Sequence, residues 1–254
     1  MRSFVTLLCG ALAIGAAQAG GGTYVKLPGG EFSSVLNYED SSSRVRVAPF
    51  GLMSLPVTNA DFLGFVRAHP QWRRDAAPGV FAESRYLSHW AGPTQLGPNA
   101  LPRQPVVWVS WFAASAYCKA QGAQLPTWSQ WEYAAAADER RTDARSDPAW
   151  HERILDWYAQ SSKPALPSVG LQRPNAYGVR DLHGLVWEWT DDFSALLVSA
   201  DNRDQGDPDR LKFCGAGALA IKDRDNYAVL MRLAMLSSLE GADATANLSF
   251  RCAR

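Results

Sequence analysis

Residues 181–193 read DLHGLVWEWTDDF, and Glu188 stands between Trp187 and Trp189. A buried carboxylate without a partner is costly, and a buried indole N–H also needs an acceptor. The segment is therefore either a packed strand with an acid that must be satisfied or the wall of a metal or substrate site. The whole chain carries 10 tryptophans, so the same demand recurs throughout. That favours an irregular, hydrogen-bonded interior over a plain helical bundle.

The N-terminus, MRSFVTLLCGALAIGAAQAG, has the form of a secretory leader. Arg2 precedes an apolar run from Phe4 to Ala17, and Ala17-Gln18-Ala19 forms a small-residue cleavage site. The run is too short to span a bilayer as a helix. A leader over residues 1–19 and one domain over residues 20–254 are expected, with a periplasmic or secreted product. Leu8 stands where a lipidated Cys9 would need a small residue, which argues against a lipid anchor. The charge balance is 25 basic against 25 acidic side chains, with no basic run, so a nucleic-acid partner is not expected.

Three helices are legible. In PVTNADFLGFVRAHP, Thr58 is the N-cap, Asp61 completes a capping box, and Phe62, Phe65 and Val66 share a face. In SWFAASAYCKAQG, Ser110 caps and Gly122 ends the helix, with Trp111, Ala114 and Cys118 on one side. In LPTWSQWEYAAAA, Thr127 and Gln130 form a capping box and the alanines propagate the helix. Strand-like runs are short: TYVKLPGGEF, GLVWEWTDDF and NLSFRCAR. Residues 70–105 and 138–178 read as loop. The fold class is α+β, a single irregular domain with low regular secondary structure, a small antiparallel sheet and flanking helices.

Taken in order, VTNADFLGFV, QPVVWVSWFAASAYCKAQGAQLPTWSQWEYAAAA, PNAYGVRDLHGLVWEWTDDF and NLSFRCAR resemble the formylglycine-generating enzyme family, also called the sulfatase-modifying-factor domain, whose fold is related to C-type lectins. The resemblance covers nearly all of the chain after the leader. It implies a disulfide between Cys118 and Cys252. It also implies calcium held by Asp181, the carbonyls of Gly184 and Val186, and Glu188, since calcium takes several hard oxygen ligands. A second family calcium site, near DWYAQSSKPALPSVG, has no recognisable ligand pattern here.

Catalytic members use two copper-binding cysteines five positions apart, because soft thiolates suit Cu(I). In KFCGAGALAIKDRDN the matching places fall on Ala220 and, at or near it, Asp225. Copper is therefore not expected, and Cys214 is the one catalytic candidate, against the alternative of a small buried thiol. Leu236 replaces the second arginine of the family's Arg-x-Ala-x-Arg, while Arg232 and Arg251 are expected to pair with buried carboxylates or carbonyls. His89 and His183 are the histidines of interest, although no pair has zinc spacing.

Two functions stand side by side. One is an exported accessory or maturation factor acting on or with a partner metalloprotein such as a copper nitrite reductase. The other is a metal-dependent oxidase of the same superfamily. A lectin-like ligand-binding module is a third class that no residue selects.

Overall fold

The computed structural model describes residues 22–34, 44–159, 165–195 and 227–254. The run TYVKLPGGEF does not form one strand. It breaks at Pro28-Gly29 into β1 (Tyr24–Leu27) and β2 (Gly30–Ser33). Gly29 has φ +67°, and a Cβ there would lie 2.3 Å from the carbonyl oxygen of Val47, so only glycine fits the turn. β1 pairs antiparallel with β4 (Phe50–Met53), Leu27 opposite Phe50, and β2 pairs antiparallel with β3 (Arg44–Val47).

The three expected helices form as α1 (Asn59–Ala68), α2 (Trp111–Ala120) and α3 (Trp128–Ala135). Thr58 and Thr127 both make full capping boxes, and the Ser110 hydroxyl accepts from the Ala113 amide. Phe62, Phe65 and Val66 are buried as the spacing demands. Two helices depart from the sequence reading. α4 (Pro148–Ala159) lies in a stretch whose composition reads as loop, and α5 (Tyr227–Ser237) adds a helix beyond the three expected. The start signal of α4 was present: Pro148 sits in the first turn, and the Asp147 carboxylate accepts from the Ala149 amide. Its charged residues mask the apolar set Trp150, Ile154 and Trp157, which recurs at helical spacing.

The chain end lies at the centre of the domain. β6 (Leu248–Ser249) runs parallel to β5 (Trp187–Glu188), a two-residue pairing that supplements the antiparallel ladders. Farther on, Ala253 exchanges both backbone hydrogen bonds with Gln124, and Arg254 does the same with Gly51. The final residues thus join β4, the segment before α3, and β5. Phe250 is fully buried and meets Phe62 and Tyr117 edge-on, at 5.9 and 5.3 Å between ring centres. Cys118 of α2 is bonded to Cys252, with Cα atoms 5.5 Å apart. The implied disulfide is therefore present.

Five of the buried or half-buried indoles donate to acceptors within the fold. Trp90 donates to Asn59 Oδ1, Trp111 to the Thr190 carbonyl and Trp189 to the Val109 carbonyl, at 2.9–3.0 Å. Trp128 and Trp131 donate instead to carboxylates, and this leads to the site.

Candidate functional site

α3 places its two indoles toward two buried acids. Trp128 Nε1 donates to Glu132 Oε2 at 2.9 Å, and the Ser34 hydroxyl donates to the same oxygen at 2.6 Å. Arg145 lies 3.7 Å from Glu132 Oε1. Trp131 Nε1 donates to Glu188 Oε2 at 3.0 Å. Both carboxylates are almost wholly removed from solvent.

Glu188 is the better-connected acid. Arg251 Nε donates to its Oε2 at 2.9 Å and Arg251 Nη2 to its Oε1 at 2.7 Å. The remaining guanidinium donors reach the carbonyls of Met53 and Arg180 at 3.0 and 2.9 Å. The guanidinium carbon of Arg232, from α5, lies 3.6 Å from the Trp131 ring centre, and Arg232 donates to the Glu188 carbonyl. The expectation that Arg232 and Arg251 serve buried carboxylates and carbonyls is met. A planar guanidinium fits a carboxylate through two parallel donors, and that geometry orients both partners.

The loop before β5 is shaped by backbone requirements. Asp181 has φ +59°, a left-handed conformation that aspartate tolerates better than most residues. Its carboxylate accepts from the Gly170 amide at 2.5 Å and so ties the 170 turn to the 181 loop. Burial raises the Asp181 pKa above the usual carboxylate value, a rise opposed by the Gly170 amide and the Arg251 charge.

Calcium needs six or more oxygens. Asp181 and the carbonyls of Gly184 and Val186 are oxygen donors of the kind such an ion takes. Both oxygens of Glu188 also accept from Arg251 or Trp131, so an ion at this place would share the acid with the guanidinium. Among the described residues no group of three or more His, Cys, Asp or Glu side chains is arranged to hold a metal.

The histidines are structural in character. His183 Nε2 faces the Ala135 carbonyl at 2.9 Å, and the ring packs edge-on to Trp131 and Trp150. Burial pushes its pKa down to about 4. His89 Nε2 lies 3.3 Å from Asn59 Oδ1, and burial followed by the nearby Arg74 lowers its pKa to about 4. Both rings are neutral at physiological pH. Cys214, Ala220 and Asp225 lie outside the described residues, as does the expected leader.

Two features were missed from sequence: the pairing of Trp131 with Glu188, and a cavity of about 410 Å³ beside Asp181, His183 and Gly184. The helical spacing of Trp150, Ile154 and Trp157 was the available signal for the cavity wall.

These elements define an irregular α+β domain whose loops are braced by buried acids and whose last residues are hydrogen-bonded to β4, β5 and the segment before α3. The family description "Sulfatase-modifying factor enzyme 1-like domain" matches residues 12–254, and the chain belongs to this family, that of the formylglycine-generating enzymes. It is 29% identical to the formylglycine-generating enzyme of Streptomyces coelicolor, over 90% of this chain and 88% of that one. It is 32% identical to inactive C-alpha-formylglycine-generating enzyme 2 of Mus musculus, over 72% of each. The crystal structure of CarF shares the fold, with a TM-score of 0.50 at 16% identity, covering 91% of this chain and 97% of CarF. No helix among the described residues is long and apolar enough to cross a membrane.

Proposed function

We propose that this protein is an exported accessory or maturation factor that acts on or with another exported protein and does not generate formylglycine by the two-thiolate copper route. The cysteine inventory carries this reading. The chain has four cysteines. Cys118 and Cys252 are consumed by the disulfide. Loss of a leader ending at Ala19 removes Cys9. Cys214 is then left alone, with Ala220 and Asp225 at or near the expected ligand positions, and one thiol cannot make a two-thiolate Cu(I) centre. The relative from Mus musculus that bears the word inactive in its name is consistent with loss of catalysis on this fold.

The partner we would test first is an exported metalloprotein, specifically a copper nitrite reductase. Co-expression of such a reductase with and without this protein, followed by copper analysis of the purified reductase, provides the test. Higher copper occupancy or yield with the intact factor supports the reading. Equal occupancy and yield in both cultures removes that partner.

The enzymatic alternative, a metal-dependent oxidase, is favoured by Cys214 and by likeness to a relative named as an active enzyme over most of the chain. Metal analysis of the mature protein separates the two. Copper or iron near one equivalent, lost on Cys214→Ser, favours the oxidase. Neither metal being retained favours the accessory factor.

A further inference from the structure

The cavity beside the 181 loop has the size of a small-molecule site. Trp150, Ile154, Val179 and Leu182 line it and are buried, giving it an apolar floor. Trp157 forms part of the wall and meets Trp187 of β5 at 5.5 Å between ring centres. Gly184 makes this approach possible. It has φ +87°, and a Cβ there would lie 3.0 Å from Gln172 Nε2 and 3.4 Å from Trp157 Cδ1.

The charged groups around the cavity are not equivalent. Arg153 is paired with Glu139 at 3.1 Å. Asp138 accepts from the amides of Arg140 and Arg141 and from the Arg141 guanidinium. Arg173 is exposed, lines the cavity, and has no hydrogen bond or ion pair among the described residues. Asp181 also lines the cavity, and its carboxylate accepts from the Gly170 amide. An uncommitted guanidinium at a cavity that also offers two indoles and aliphatic side chains matches a flat ring that ends in an anion. Guanidinium donors bind carboxylates as a fork, and indole faces favour aromatic rings.

We propose that this cavity binds a planar aromatic group carrying a carboxylate, with the ring against its apolar and indole lining and the carboxylate on Arg173. The chemistry is shared by small aromatic acids and by a peptide ending in an aromatic residue. The inference is independent of the accessory-factor reading, and either can fail without the other.

Tryptophan emission of the full mature protein, titrated with phenylacetate, phenylacetamide and the tripeptide Ala-Ala-Phe, tests it. Saturable binding of phenylacetate or the tripeptide is expected, with the tighter of the two naming the source. Phenylacetamide is expected to bind at least ~10-fold more weakly, because it cannot form the charged fork. Arg173→Glu is expected to weaken the acid by at least ~10-fold, for the same loss of the charged contact. That variant should keep the parent thermal midpoint, since Arg173 makes no contact that folding requires. The proposal is overturned if neither acid saturates by ~10 mM, a concentration well above the affinities of ordinary small-molecule sites. It is also overturned if the amide binds as tightly as the acid, or if Arg173→Glu binds like the parent.

Discussion

Arg251 Nη2 lies 2.7 Å from Oε1 of Glu188, and neither side chain has any exposure to solvent. The pair joins β5 to the chain end, one residue before the disulfide at Cys252. Burying two charges is expensive, and their attraction offsets that cost only while both remain. Arg251→Met or Glu188→Gln alone should therefore destabilise the fold by about 3–5 kcal/mol in urea unfolding. The double variant should lose less than the sum of the single losses, because no orphan charge remains. Strict additivity would show that the pair is not coupled.

The disulfide closes a sequence separation of 134 residues. In the chain-entropy model a loop of that length stabilises by about 5 kcal/mol. Replacing Cys118 and Cys252 together with serine should lower the unfolding free energy by an amount of that order. Thiol titration of the unreduced, denatured full chain should find no more than Cys9 and Cys214 reactive. Reaction at Cys118 or Cys252 before reduction would contradict the bond.

His89 makes stability pH-dependent in a stated direction. Its folded pKa is about 4, lowered from an ordinary 6.5 by burial and by Arg74. The unfolded chain therefore binds a proton first as pH falls, and linkage makes stability fall with it. The contribution is fully present above pH 6.5 and is lost progressively down to about pH 4. Thermal midpoints across that window should decline, and His89→Gln should flatten the decline. An unchanged slope in the variant would mean that His89 does not carry it.

Calcium at the implied site would share Glu188 with Arg251. If Asp181, Gly184, Val186 and Glu188 hold the ion, the thermal midpoint should be higher in millimolar calcium than in EGTA, because a ligand that binds only the folded chain stabilises it. Equal midpoints in the two buffers would remove the site.

Much of the local structure was legible because its causes are local. Thr58 with Asp61, and Thr127 with Gln130, are capping boxes complete within four residues. The family, too, was legible from ordered motifs such as LPTWSQWEYAAAA and GLVWEWTDDF. α4 was not, because charged and apolar residues mix in its sequence and the face that is buried depends on what packs against it. The strand pairing of GLVWEWTDDF was also hidden: its partner, NLSFRCAR, lies some 60 residues away, and non-local pairing leaves little mark on either segment alone.

By itself, the sequence determined which groups would need partners: ten indoles, an acid between two tryptophans, and an isolated Cys214 after the expected bond. Only the tertiary structure decided who the partners are. Glu188 could have gone to a metal or to an arginine, since both are cations that stabilise a buried carboxylate. Within this fold it goes to Arg251, because the chain end is threaded through the core and delivers a guanidinium to hydrogen-bonding distance.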